Sequence, residues 1–256
     1  SDYGELASGL VGKGRMAEPE AIADHLEQYL RSTLPLFGKK VLINAGPTHE
    51  HLDPVRFLGN NSSGKMGSAM AAAARDLGAN VHLVLGPTQA SLDLKGIKVT
   101  RVISADDMLR SMVSDFPDST LTVCCAAVSD YRPVSQAEHK IKKSDEGKSM
   151  TISLEKTPDI LSTLGSMKSN GNHLVGFALE TRDGEAYAKQ KLSKKNASAI
   201  VLNTLGKEGV GFETDTNEVS VYTDTGKTFS FPLTSKIALG KSLLELFMSE
   251  FKLSDA

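Results

Sequence analysis

Residues 121–128 read Leu-Thr-Val-Cys-Cys-Ala-Ala-Val, an eight-residue run with one hydroxyl and no charge. An apolar run without polar alternation is the pattern of a strand buried on both faces. Such strands belong to parallel sheets covered by helices. The rest of the chain agrees with that constraint. Short apolar runs at 41–44, 81–85, 99–103, 174–178 and 199–202 alternate with helical patterns at 66–77, from Ser104, from Thr157, at 185–195 and at 237–251. Gly78 stands where a left-handed residue closes the first of these helices. Ser104-Ala105-Asp106-Asp107 has the form of a capping box. Thr157 is expected to cap its helix, with Pro158 in the first turn. Segments 219–222 and 228–231 flank Asp224-Thr225-Gly226, a hairpin signal. This order predicts an α/β fold, a Rossmann-like and mostly parallel sheet with helices on both faces and a C-terminal hairpin.

Composition narrows the function classes. A length of 256 residues holds one large domain or two small ones, and 40% hydrophobic residues suffice for a substantial core. A formal charge of −2 gives no general attraction to nucleic acid or an acidic membrane, and without tryptophan there is little to stack single strands on. Cys124 and Cys125 are the only cysteines, are adjacent and lie in the apolar run. That argues for a core role in a reducing compartment. No run of about 18 apolar residues is present, and no secretory pattern opens the sequence, so a cytoplasmic location is expected.

The segment with most chemistry is Gly59-Asn60-Asn61-Ser62-Ser63-Gly64-Lys65-Met66-Gly67, followed at once by an alanine-rich helix. A glycine- and hydroxyl-rich loop opening a helix presents backbone N–H groups and a positive dipole end to an anion. In a parallel sheet the ligand crevice lies beyond the carboxyl ends of the strands. Loops 45–48 and 129–131 leave two such ends, and Phe177 lies near a third. A dinucleotide fingerprint requires G-x-G-x-x-G after the first strand and an acidic residue ending the second. Here the first turn is Ala45-Gly46-Pro47-Thr48 and the second strand runs into Gly86-Pro87. An NAD(P)-binding reductase is therefore the runner-up, and a non-catalytic nucleotide-binding regulatory module a third class. The histidines show no metal-ligand spacing, and no hydrolase triad stands out.

The runs AGPTHEHLDPVRFLGNNSSGKMG, AAVSDYR (126–132), KIKK (140–143), TPDIL (157–161) and VGFALET (175–181) together resemble one family, phosphopantothenoylcysteine synthetase. The similarity spans about residues 39–251. Two positions depart from the usual pattern: Asn61 replaces a common histidine and Ser129 a common alanine. The resemblance implies a ligase that joins 4′-phosphopantothenate to L-cysteine in coenzyme A biosynthesis. The carboxylate attacks the α-phosphorus of CTP, pyrophosphate leaves, and cysteine attacks the acyl-cytidylate to release CMP. Magnesium accompanies the nucleotide, with no protein ligands assignable.

Residue roles follow from the same resemblance. Lys140 becomes the catalytic lysine beside the α-phosphate, where an ammonium stabilises developing charge. On its own, the KIKK pattern also fits a solvated lysine-rich edge strand. Asn60 becomes the asparagine that orients the acyl-nucleotide, and Gly64 and Lys65 join it in substrate binding. Asp130, Thr157, Pro158, Asp159, Ile160, Phe177, Lys191 and Lys195 become nucleotide contacts. Lys191 and Lys195 lie i, i+4 on the predicted helix and so share a face. Like charges there repel by roughly a few tenths of a kcal/mol, a penalty that a triphosphate between them would remove.

Residues 132–149 break the strand–helix order and read as a protruding flap, which in the family builds a homodimer and crosses towards the partner's site. Residues 1–37 read as a separate piece, with a helix placing Ile22, Leu26, Tyr29 and Leu30 on one face. GLVGKGRMAEP (9–19) resembles the end of the phosphopantothenoylcysteine decarboxylase domain. Residues 1–37 are accordingly expected to be the tail of a preceding decarboxylase domain, and 38–256 the synthetase domain.

Overall fold

The computed structural model describes residues 2–5, 8–142, 149–180, 184–204 and 214–254. Among them, eight strands build the central sheet: β1 (Lys40–Ala45), β2 (Asn80–Leu85), β3 (Lys98–Arg101), β4 (Leu121–Cys124), β5 (His173–Glu180), β6 (Ala199–Thr204), β7 (Thr216–Thr223) and β8 (Thr228–Ser235). Their spatial order is β3-β2-β1-β4-β5-β6-β7-β8. Neighbours from β3 to β6 are parallel, and β7 and β8 continue the sheet antiparallel. From β1 the chain moves outward through β2 to β3, then returns to β4 on the other side of β1. The carboxyl ends of β1 and β4 therefore mark the topological switch point, where α/β sheets open a crevice.

The helices are α1 (Pro19–Ser32), α2 (Lys65–Asp76), α3 (Ala105–Asp115), α4 (Ile160–Met167), α5 (Gly184–Lys194) and α6 (Lys236–Phe251). Alternate strand residues sort into two cores, as a sheet buried on both faces requires. Val41, Ile43 and Ala45 of β1 share one core with Met70 and Ala71 of α2 and Leu243 and Phe247 of α6. Leu42 joins Met108 and Met112 of α3 and Leu161 and Leu164 of α4 in the other. The expected α/β sheet with helices on both faces is what the chain forms.

Two close approaches set the position of the site. A Cβ on Gly67 would stand 2.6 Å from the Ala45 Cβ, so α2 lies with its first turn directly on β1. A Cβ on Gly240 would stand 3.1 Å from the Ala69 carbonyl carbon, so α6 also packs closely on α2.

Several local expectations need correction. The apolar run stays a strand only to Cys124, because the N–H groups of Cys125 and Ala126 turn aside to the Asn44 side chain, 2.8 and 2.9 Å away. The third strand ends at Arg101 rather than at 103; the Ile103 carbonyl accepts instead from His49 N–H. The cap of α4 is Asp159, whose carboxylate accepts from Ser162 N–H at 2.8 Å, and Pro158 lies before the cap. Thr157 is committed elsewhere, its N–H and hydroxyl donating to the carbonyls of Asp130 and Ser129. Ser104 does cap α3 in a full capping box with Asp107, and Gly78 is left-handed, as expected.

The flap is rooted in an antiparallel pair, Tyr131–Pro133 with Leu154–Lys156. Residues 143–148 lie outside the described residues. Lys140-Ile141-Lys142 is not a strand. The Ile141 N–H donates to Asp53 Oδ2 at 3.1 Å and its carbonyl accepts from Arg56 at 2.7 Å, so its backbone is bound to side chains rather than to a strand. In the N-terminal piece, Asp2–Glu5 pairs with Val11–Arg15, a hairpin the sequence reading lacked. The predicted apolar face of α1 is solvent-exposed; none of the helix is buried.

Gly67→Ala should cost about 1–3 kcal/mol, the range for overpacking a tight contact, because the added methyl collides with Ala45 on a strand that has no room to shift. Urea unfolding of the two proteins checks this; equal midpoints would mean that α2 is not seated on β1 as described.

Candidate functional site

A cleft of about 1000 Å³ opens at the carboxyl ends of β4, β5 and β6. One wall is the 60–67 loop and the first turn of α2. Gly64, the N-cap of α2, has φ +72°, and a Cβ there would press to 3.3 Å from Gly46 N. Only glycine suits both conditions. The floor is 124–128, held away from β1 by Asn44. The far wall is 156–161 with Phe177 and Leu179, and Lys191 reaches in from α5.

Asn60 ties the wall to the floor: its Nδ2 donates to the Val128 carbonyl at 2.9 Å and more weakly to that of Ala127 at 3.4 Å. This fixes the amide at the mouth of the cleft. Buried Thr48 ties the next segment, its hydroxyl accepting from Ser129 N–H at 3.0 Å. Asp130 follows as an exposed carboxylate on the rim. The backbone pairing of Thr157 to residues 129 and 130 then places Pro158, Asp159 and Ile160 opposite the glycine-rich loop.

Lys191 and Lys195 do not face empty space. Lys191 Nζ donates to the Phe177 carbonyl at 3.2 Å, and Lys195 Nζ pairs with Asp159 at 2.5 Å. Burial opposes ionisation of Asp159, but the Lys195 and Ser162 hydrogen bonds and the Lys191 charge outweigh it and hold the carboxyl below its ordinary range. Asp159 thus occupies the position the sequence reading left for a phosphate.

Of the residues singled out from sequence, Asn60, Gly64, Lys65, Asp130, Thr157, Pro158, Asp159, Ile160, Phe177 and Lys191 all line this one cleft. Lys195 sits behind Asp159. Lys140 is exposed and outside the cleft of its own chain. Its neighbour Ile141 is fastened to Asp53, a fully buried carboxylate that also accepts from the N–H groups of Val55 and Arg56 and pairs with the Arg56 guanidinium at 2.6 Å. Burial opposes the charge on Asp53, yet these bonds hold its carboxyl far below the usual range.

Among the lining residues that sequence reasoning missed are Lys156, Asn203, Asn217 and Lys236. Lys236 left a signal: it opens α6 beside the capping Ser235, where the helix dipole disfavours a cation. Burial, and next the charge of Lys65, push its ammonium below the ordinary lysine range. Asn203 also left one, as a polar residue following four apolar ones; its Oδ1 is buried with no partner among the described residues.

The acidic groups at the cleft are too few to cage a cation, and no cluster of three potential metal ligands occurs among the described residues. The donor set fits a magnesium ion carried mainly on ligand phosphates, as that ion prefers. No described helix is long and apolar enough to cross a membrane.

Three comparisons bear on the cleft. The family model "DNA/pantothenate metabolism flavoprotein C-terminal domain" matches residues 36–250. The coenzyme A biosynthesis bifunctional protein CoaBC of Vibrio vulnificus is 43% identical over 242 residues, 94% of this chain and 60% of that protein. The C-terminal domain of a CoaBC protein, known from a crystal structure, superposes with a TM-score of 0.72 at 40% identity, covering 86% of this chain and 99% of that one. The chain thus spans about 60% of the length of the curated relatives it matches.

Cys124 and Cys125 lie on the cleft floor, and burial pushes both thiols up to about 12. Thiolate, not thiol, is the reactive form. Iodoacetamide at neutral pH should therefore label the folded protein at least about 100-fold more slowly than the guanidinium-unfolded chain. Rapid labelling of the native protein, read by mass spectrometry, would place a reactive thiolate in the cleft.

Proposed function

This chain belongs to the DNA/pantothenate metabolism flavoprotein C-terminal domain family, and from that premise we propose that it is the ligase that joins 4′-phosphopantothenate to L-cysteine in coenzyme A biosynthesis. The observation that carries the reading is the convergence of the 60–67 loop, Asp130, residues 157–160, Phe177 and Lys191 on one cleft. CTP binds with its base towards Phe177 and its phosphates towards the lysines. The carboxylate of 4′-phosphopantothenate forms a bond to the α-phosphorus, and pyrophosphate departs with the electron pair of the broken P–O bond. The amine of cysteine then displaces CMP from the acyl-cytidylate and loses a proton. Magnesium screens the phosphates. Asn60 holds the acyl-nucleotide at the mouth of the cleft. Positioning and fixed charge suffice, and neither cysteine of the chain acts as nucleophile.

The working unit is a cytoplasmic homodimer. Lys140, exposed on the flap, completes the cleft of the partner subunit. In the whole protein a decarboxylase domain precedes the synthetase domain, in line with the bifunctional relatives, and residues 1–37 are its tail.

Pyrophosphate release should require CTP and 4′-phosphopantothenate together, and product should require cysteine in addition. Release independent of phosphopantothenate, or tight binding of NADPH in place of CTP, would overturn the ligase reading. Equal consumption of ATP and CTP in competition would overturn only the nucleotide preference.

Lys140→Gln and Asn60→Asp should each lower turnover by about 100-fold or more, the scale for losing one electrostatic stabiliser. Mixing the two variants should restore roughly a quarter of wild-type activity, because half the dimers are mixed and each holds one intact site. No recovery after subunit exchange, verified by light scattering and native mass spectrometry, would place Lys140 in its own subunit's reaction or outside the chemistry.

A further inference from the structure

The glycine-rich loop of the cleft leans on a second loop that stands behind the cleft wall. β2 ends at Leu85, and Gly86-Pro87-Thr88 follow it. Gly86 N–H donates to the Ala45 carbonyl at 2.9 Å, and a Cβ on Gly86 would collide with the Pro47 carbonyl oxygen. The turn after β2 is thus pressed onto the turn after β1, which in its turn backs onto Gly64. From this position the Thr88 hydroxyl donates to the Ser63 carbonyl at 2.8 Å and accepts from Ala90 N–H at 3.1 Å. A carbonyl oxygen only accepts, so the direction of the first bond is fixed. Ser63 and Gly64 line the cleft, and Thr88 lies on their far side.

The bond orients one peptide group. In a trans peptide the C=O and the following N–H point in opposite directions. With the Ser63 carbonyl turned out to Thr88, the Gly64 N–H is turned inward, to the cleft side. Its contact with Ser62 Oγ is 3.4 Å, a distance at which the bond is weak. Glycine adopts positive and negative φ about equally well, so residue 64 does not itself prevent this peptide from flipping. A flipped peptide would aim the Ser63 oxygen, instead of an N–H, at an anion in the cleft. The Thr88 hydroxyl holds the carbonyl in the first orientation.

We propose that Thr88 is a positioning residue of the cleft: by holding the Ser63 carbonyl it turns the Gly64 N–H towards the phosphate of the ligand. The proposal rests on the ligase reading for the ligands, which carry phosphate in two places, the polyphosphate of CTP and the 4′-phosphate of the acyl substrate. Thr88 itself touches neither.

Calorimetry with CTP and with 4′-phosphopantothenate reads the affinities, and pyrophosphate release at saturating substrates reads turnover. Thr88→Val keeps the shape and removes the hydroxyl. Thr88→Ala removes it without crowding, in case the valine variant misfolds, and Thr88→Ser keeps it. The valine and alanine variants should weaken one of the two ligands about tenfold, the scale of one hydrogen bond, with turnover at saturation within about twofold of wild type. The serine variant should bind as wild type does. A loss confined to CTP assigns the polyphosphate to the loop, and a loss confined to 4′-phosphopantothenate assigns the acyl phosphate. Unchanged affinities in the folded valine and alanine variants would overturn the role. So would an equal loss for both ligands, a serine variant as weak as the valine one, or a fall in turnover with both affinities intact. Wild type that binds both ligands but releases no pyrophosphate would overturn the ligase reading, and the affinities of the variants would still decide the role of Thr88. Wild type that binds neither would overturn both.

Discussion

The cleft depends on one side chain. Asn44, the penultimate residue of β1, is 1% exposed, and its Oδ1 accepts from two consecutive N–H groups, those of Cys125 and Ala126. At the switch point these donors have lost their strand partner. A buried N–H without an acceptor costs about 1–3 kcal/mol, so the divergence of β1 and β4 is stable only because the amide spans it. Everything on the rim is built outward from there. Ala127 N–H donates to the Gly46 carbonyl, Asn60 to the Val128 carbonyl, Ser129 N–H to Thr48, and Thr157 to residues 129 and 130. Each link fixes the segment that carries the next candidate ligand contact.

Charge is distributed against the average of the chain. The formal total is −2, yet among the described residues the cleft is lined by Lys65, Lys156, Lys191 and Lys236 and by two carboxylates, Asp130 and Asp159. Asp159 is already engaged by Lys195. Concave surfaces of one sign focus the field and raise the local concentration of opposite charge. That gives the cleft a preference for polyanions that the sequence total conceals. The N-termini of α2 and α6 act in the same direction without titrating.

Much of this was legible because it is periodic or local. The buried strands, the two-faced helical cover, the capping box at Ser104 and the left-handed Gly78 each follow from a few adjacent residues. The ten residues that meet in the cleft were named from the resemblance of the runs that hold them; the strand order alone pointed only to the 129–131 loop and to Phe177, and residue type to the glycine-rich loop. What escaped is tertiary. Nothing around Asn44 states that a neighbouring strand will need an acceptor. Thr157 and Asp159 are both of cap-forming type, and the choice falls to Asp159 because residues 129 and 130 take the Thr157 N–H and hydroxyl. The alternation of the KIKK run suggested a strand, but an alternating pattern cannot reveal that Asp53 and Arg56 will take the Ile141 backbone. Lys236 was passed over because a lysine at the head of a helix is read as surface, whereas here it is 6% exposed.

The same Asp53–Arg56 clamp explains why Lys140 is not found in its own cleft. The carboxylate is saturated by hydrogen bonds from Val55, Arg56 and Ile141, and Arg56 closes the ring on the Ile141 carbonyl. This arm of the flap is thereby fixed to the 52–56 loop, which Ala137 N–H also joins through the Leu52 carbonyl. A residue adjoining such an anchor has little freedom to swing back across the rim. If a lysine is required at the α-phosphate, the lysine on this flap meets that need more readily in a second copy than by folding back. Dimerisation in the proposed ligase is then part of assembling the charge around the reacting phosphorus, and the rigidity of the clamp is what makes a flap a usable donor of it.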